Sequence, residues 1–128
     1  MELKVGLKGE SKDMVTEKNT AIAYGSGGVA VLATPALISL MENAALNLAQ
    51  GYLPEGQTTV GTKVDVNHLA ATPVGMAVSA TAEISEIDGR KIVFKVEAFD
   101  DKDKIGSGTH ERFIIDLEKF MSKVNAKK

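Results

Sequence analysis

Between Asn19 and Pro54, a run of 36 residues, Glu42 is the only carboxylate, lysine, arginine or histidine. A solitary carboxylate in an apolar stretch is a candidate for acid–base or nucleophilic work, because partial desolvation suits it to either. Two further residues could act with it. His68 ends a run of alternating apolar residues, so it is expected on the helix-facing side of a strand, within reach of Glu42. Thr34 precedes Pro35, where a hydroxyl ordinarily caps a helix N-terminus. Its alternative use is a polar contact to a substrate at that terminus, where free N–H groups stabilise a developing oxyanion. His110 and Arg112 share a strand face with Ile114. A strand arginine is ordinarily half of a cross-strand ion pair, and otherwise a carboxylate or phosphate clamp.

The elements that would carry these residues follow from periodicity. Leu37, Leu40, Met41, Ala44, Ala45 and Leu48 keep helical spacing, which predicts a helix over 35–50 with Gly51 just beyond it. On the helical wheel Glu42 falls beside Ile38, Ala45, Leu46 and Ala49, at the shoulder of the apolar stripe. Residues 2–18 read as an exposed strand region, followed by the glycine-rich link Tyr24-Gly25-Ser26-Gly27-Gly28. After Gly56 the period becomes two. Val60, Thr62, Val64, Val66 and His68 are expected on one strand face, and Val74, Met76, Val78, Ala80, Ala82 and Ile84 on the next. Asp88-Gly89 marks a hairpin leading to Ile92, Phe94, Val96 and Ala98. A further strand covers 105–117, and a short or frayed helix the tail. Short turns force antiparallel pairing. One strand, one helix and four more strands make an α+β architecture in one domain spanning 1–128.

Composition removes several classes of function. With no cysteine, thiolate nucleophiles, disulfide frameworks and Cys-ligated metals are excluded. Fifteen basic against 17 acidic residues leave a net charge of -2, so nucleic acid and anionic lipid are not expected partners. The start of the chain has no apolar leader-like run, and the apolar stretch from Val29 to Ile38 is too short to span a bilayer. A cytoplasmic setting is expected. The glycines at 25–28 lack the flanking strand and helix of a dinucleotide site. Asp101 and Asp103 fail as a calcium loop, because Ile105 and Arg112 stand where oxygen ligands belong.

Three segments carry a family resemblance. They are Ala33-Thr34-Pro35 through Glu42, Val60-Gly61-Thr62 through His68-Leu69-Ala70-Ala71-Thr72-Pro73, and Ile105 through Thr109-His110-Glu111-Arg112. In order and spacing, over about residues 33–120, the chain resembles the fluoroacetyl-CoA-specific thioesterase family. That resemblance implies a hotdog fold, an antiparallel sheet of about five strands wrapped around one long central helix. It implies hydrolysis of a small or medium acyl-CoA thioester by Thr34, Glu42 and His68, with Gly61 and Arg112 contacting substrate. Glu42 would serve as nucleophile or base, His68 as acid/base, and Thr34 as the orienting group. A homodimer is implied, and CoA enters as part of the substrate, with no separate cofactor or metal. The likeness stops at the family's aromatic lid, where this chain has Gly25-Ser26-Gly27-Gly28-Val29. A hotdog enoyl-CoA hydratase and a non-catalytic acyl-CoA-binding dimer are the alternatives.

Overall fold

The computed structural model of the chain describes residues 2–128. In order it forms β1 (Lys8–Met14), α1 (Ala21–Tyr24), α2 (Thr34–Gln50), β2 (Gln57–His68), β3 (Ala77–Asp88), β4 (Lys91–Phe99), β5 (Lys104–Asp116) and α3 (Leu117–Asn125). The five strands make one antiparallel sheet in the order β1-β3-β4-β5-β2. Its inner face closes on α2, as the periodicity predicts.

The helix sits close because the residues between it and the sheet are small. Ala36, Leu37, Leu40, Met41, Ala44, Ala45, Leu48 and Ala49 are buried along α2. Opposite lie Val78, Ala80, Ala82 and Ile84 of β3, and Ile92, Phe94, Val96 and Ala98 of β4. A Cβ at Gly9 of β1 would stand 2.8 Å from Leu48 Cβ and 3.0 Å from the Ala44 carbonyl. That contact leaves no room for a side chain. Ser11, the buried polar residue of β1, donates its hydroxyl to the Leu40 carbonyl at 2.6 Å.

Several local expectations change. The link before α2 contains the one-turn helix α1, capped by the Thr20 side chain and ended by Gly25 at φ 68°. The cap of α2 is Ala33, not Thr34, which is the first helical residue and spends its hydroxyl elsewhere. Gly51 ends the helix at φ -64°, so it does not use the left-handed region. In β2 the register against β5 shifts between Gly61 and Lys63. This bulge inverts the alternation, so Thr59 and Gly61 replace Val60 and Thr62 on the inner face. Val74 and Met76 precede β3, and Val74 is exposed. The tail helix α3 has no buried residue.

Gly9→Ala should therefore lower folding stability by about 1–3 kcal/mol through overpacking against α2. Gly28→Ala, whose Cβ meets nothing within 4 Å, should stay within about 0.5 kcal/mol of the parent. Denaturant melts of the two variants check this, and equal midpoints would contradict the packing argument.

Candidate active site

The expected site residues form two clusters. In the first, Thr34 Oγ1 lies 2.7 Å from His68 Nδ1. Thr34 opens α2 and His68 closes β2, so a helix start meets a strand end. Pro35 has no N–H, which leaves the amides of Thr34 and Ala36 free at this terminus. His68 is half-buried, and its Nε2 is buried with no hydrogen-bond partner among the described residues. Burial pushes the imidazole below its ordinary pKa, with the Ala70 backbone partly offsetting it. The Thr34 contact ties the two ring nitrogens together: if Thr34 donates to Nδ1, Nε2 carries the proton, and if it accepts, Nε2 is a free base. Either state offers proton transfer at Nε2. Beside this pair is a cavity of about 420 Å³, lined by Val29, Val31, Leu32, Leu69 and Ala70 among others. No phenylalanine, tyrosine or tryptophan lines it.

The second cluster surrounds Gly61. A Cβ there would lie 3.0 Å from Glu42 Oε2, 3.2 Å from His110 Cε1 and 3.3 Å from Arg112 Nη1. The missing side chain thus leaves a gap bordered by a carboxylate and a guanidinium. Glu42 is half-buried on the shoulder of α2, where the helical wheel puts it. Arg112 is 6% exposed. Its Nε donates to Thr59 Oγ1 at 2.7 Å and its Nη2 to the Thr59 carbonyl at 2.9 Å. No carboxylate forms an ion pair with it among the described residues, so the cross-strand pair expected of a strand arginine is replaced by Thr59. Burial pulls the guanidinium below its ordinary pKa, and the nearby Glu42 carboxylate opposes that. It remains a cation.

His110 belongs to this cluster and was not among the expected site residues. It is 1% exposed and its Nδ1 lies 2.8 Å from the Lys63 carbonyl. Thr59 was also missed. The alternation of His110 with Arg112 was the available sequence signal for the first, whereas Thr59 reaches the inner face only through the bulge.

One chain does not bring the clusters together. Eight helical residues separate Thr34 from Glu42, about 12 Å of rise. Arg112 pairs with Gly61 and Gly106 with His68, six strand residues apart and thus roughly 20 Å. The expected contact of His68 with Glu42 is therefore absent within the chain. A larger groove, about 760 Å³ between α3 and the turn at 54–57, contains none of these buried polar groups.

Known proteins share this fold. Residues 15–118 match the family model of the fluoroacetyl-CoA-specific thioesterases. The fluoroacetyl-CoA thioesterase of Streptantibioticus cattleyicolor is 46% identical over 97 residues, 76% of this chain and 70% of that protein. A solved structure of the fluoroacetyl-CoA thioesterase FlK superposes with a TM-score of 0.94 at 37% identity, covering 100% of this chain and 99% of the other. A mutant of that enzyme in complex with fluoroacetate and CoA gives 0.85 at 37% identity, over 92% and 99% of the two chains. The sheet wrapped on one helix is the hotdog fold. Among the described residues no helix is long and apolar enough to cross a membrane.

Both histidines are pushed down in pKa, chiefly by burial. The unfolded chain then binds more protons in mild acid, so their share of stability is present above about pH 6.5 and lost as pH falls through the lowered values. Denaturant midpoints should be level from neutral pH to about 6.5 and decline towards about 5. Midpoints that rise over that interval would contradict the burial of neutral imidazoles.

Proposed function

Since the chain belongs to the fluoroacetyl-CoA-specific thioesterase family and is an acyl-CoA thioesterase, we propose that its active site is composite. Thr34 and His68 of one subunit face Glu42, Gly61 and Arg112 of the partner subunit across a two-fold axis. The observation that carries this reading is the position of β2. It is a 12-residue edge strand with one side unpaired among the described residues, and both clusters lie along it. An antiparallel pairing of β2 with its copy, centred near Val64, superimposes the Gly61 end of one strand on the His68 end of the other. The same centre sets Lys63 against Asp65 of the partner twice, an opposite-charge cross-strand pair. It also covers Val64, which is 38% exposed in the single chain. A long unpaired edge is otherwise a template for uncontrolled association.

In this arrangement the acyl-CoA carbonyl lies at the start of α2, where the free N–H groups polarise it. Glu42 takes a proton from water as the water oxygen bonds to the carbonyl carbon. The C–S bond then breaks, and the CoA sulfur receives a proton from His68. Alternatively the Glu42 oxygen attacks the carbonyl carbon, the thiolate leaves with the His68 proton, and water cleaves the resulting anhydride. Both routes give one acid and one CoA thiol per water. After one turnover in heavy-oxygen water, label in the Glu42 carboxylate marks the second route, as does a labelled acyl group trapped on Glu42. CoA is the leaving half of the substrate, and the chemistry needs no further cofactor.

The substrate acyl group is small to medium in length. The loop Gly25-Ser26-Gly27-Gly28-Val29 contributes no aromatic side chain to the wall of the cavity beside Thr34 and His68. A two-carbon group leaves most of that space empty, and each further buried methylene contributes about 0.8 kcal/mol. The cysteine-free composition fits a reducing, cytoplasmic setting.

A thiol-release assay across acyl chain lengths tests this reading, with no protein thiol to interfere. Turnover should rise from acetyl to butyryl or hexanoyl thioesters. Glu42→Gln and His68→Ala should each lose about 10²–10⁴-fold in kcat. Turnover unchanged by Glu42→Gln in a folded protein would overturn the catalytic assignment.

A further inference from the structure

We propose that His110 is a positioning residue for the thioesterase reaction, holding the Arg112 guanidinium so that two of its N–H groups remain uncommitted, the one on Nη1 at the gap beside Gly61. The proposal rests on the reading above, in which Arg112 lines the composite site, and takes Arg112 to contact the substrate there.

The hydrogen bonds determine this arrangement. The Lys63 carbonyl can only accept, so His110 Nδ1 at 2.8 Å must donate to it. Nδ1 therefore carries the proton of the neutral ring. His110 Nε2, 3.2 Å from Arg112 Nη1, is then a lone pair accepting from the guanidinium. Arg112 has five N–H donors. Three are committed, to Thr59 Oγ1, the Thr59 carbonyl and His110 Nε2. One N–H on Nη1 and one on Nη2 are left, and Nη1 borders the gap.

Every neighbouring element supports this state of His110. The β2 bulge turns the Lys63 carbonyl towards the ring. From β4, Phe94 stacks on it with centroids 6.1 Å apart and planes at 28°. Three charged groups act on it: Arg112 and Glu111 of its own strand, and Glu42 of α2. Arg112 opposes a second positive charge, whereas the two carboxylates favour one. Burial, the largest influence, keeps the ring neutral. Protonation would replace the Nε2 acceptor with a donor facing the Arg112 donor. The bond that orients Arg112 would be lost.

The test is a double-mutant cycle in kcat/KM, using His110→Leu and Arg112→Met with each folded state confirmed by thermal melting. His110→Leu should lower kcat/KM roughly ten- to hundredfold in the parent, the range for a hydrogen bond to a charged group. It should have less than about a threefold effect when Arg112 is already Met, because the residue acts through that arginine. His110→Gln can donate to Lys63 and accept from Arg112, so it should restore activity to within about threefold of the parent. Equal losses from His110→Leu in both backgrounds would overturn the proposal, as would full activity in folded His110→Leu. If His110→Leu does not fold, the cycle is run with His110→Phe, and additivity of that variant with Arg112→Met overturns the proposal equally. Absence of thiol release by the parent would instead count against the thioesterase reading, and the same cycle is then read on binding of a thioether analogue of acyl-CoA.

Discussion

The close seat of α2 on the sheet sets where every functional group can be. Alanines at 36, 44, 45 and 49 form much of the buried stripe, and Gly9 lets β1 approach the helix backbone. With small residues on both sides, the helix has little freedom to slide or roll without opening voids or clashes. That rigidity fixes Thr34 at one end of the concave face and Glu42 two turns along.

The second determinant is the bulge in β2. By inserting one residue beyond Gly61, it places Thr59 and Gly61 inward on one side and Val66 and His68 inward on the other. It also frees the Lys63 carbonyl for His110. A guanidinium at 6% exposure is costly unless its donors are engaged. Three engaged donors meet most of that requirement, and the Glu42 carboxylate across the gap supplies compensating charge. The gap between them has room for a polar substrate group. His68 contrasts with this largely engaged network, because its Nε2 has no partner among the described residues and lies beside an apolar cavity.

Much of this was legible in the residues. The helical period placed α2 to within one residue of its start, and the wheel put Glu42 on its half-buried shoulder. The period of two and Asp88-Gly89 located β3, β4 and their hairpin. The bulge was not legible, because an extra residue in a polar edge strand leaves no compositional trace. Its omission put Val60 and Thr62 on the wrong face and hid Thr59. Thr34 was assigned to capping because a hydroxyl before proline fits that role equally well. Only the proximity of His68, a long-range contact, shows otherwise. The separation of Glu42 from His68 was half visible: eight helical residues imply the rise, but the strand register that sets the two clusters roughly 20 Å apart along β2 required the fold.

The account depends on two half-sites meeting across a subunit boundary, and subunit mixing addresses it most directly. Glu42→Gln and His68→Ala proteins, each nearly inactive, are mixed and allowed to exchange subunits. In a composite site, half of the dimers are mixed and each holds one intact site of two, so about a quarter of the parental activity per chain returns. If Glu42 and His68 act within one chain, every site in the mixture carries a lesion and activity stays at the level of the separate variants. That result, obtained with exchange confirmed by mass, would contradict the composite site.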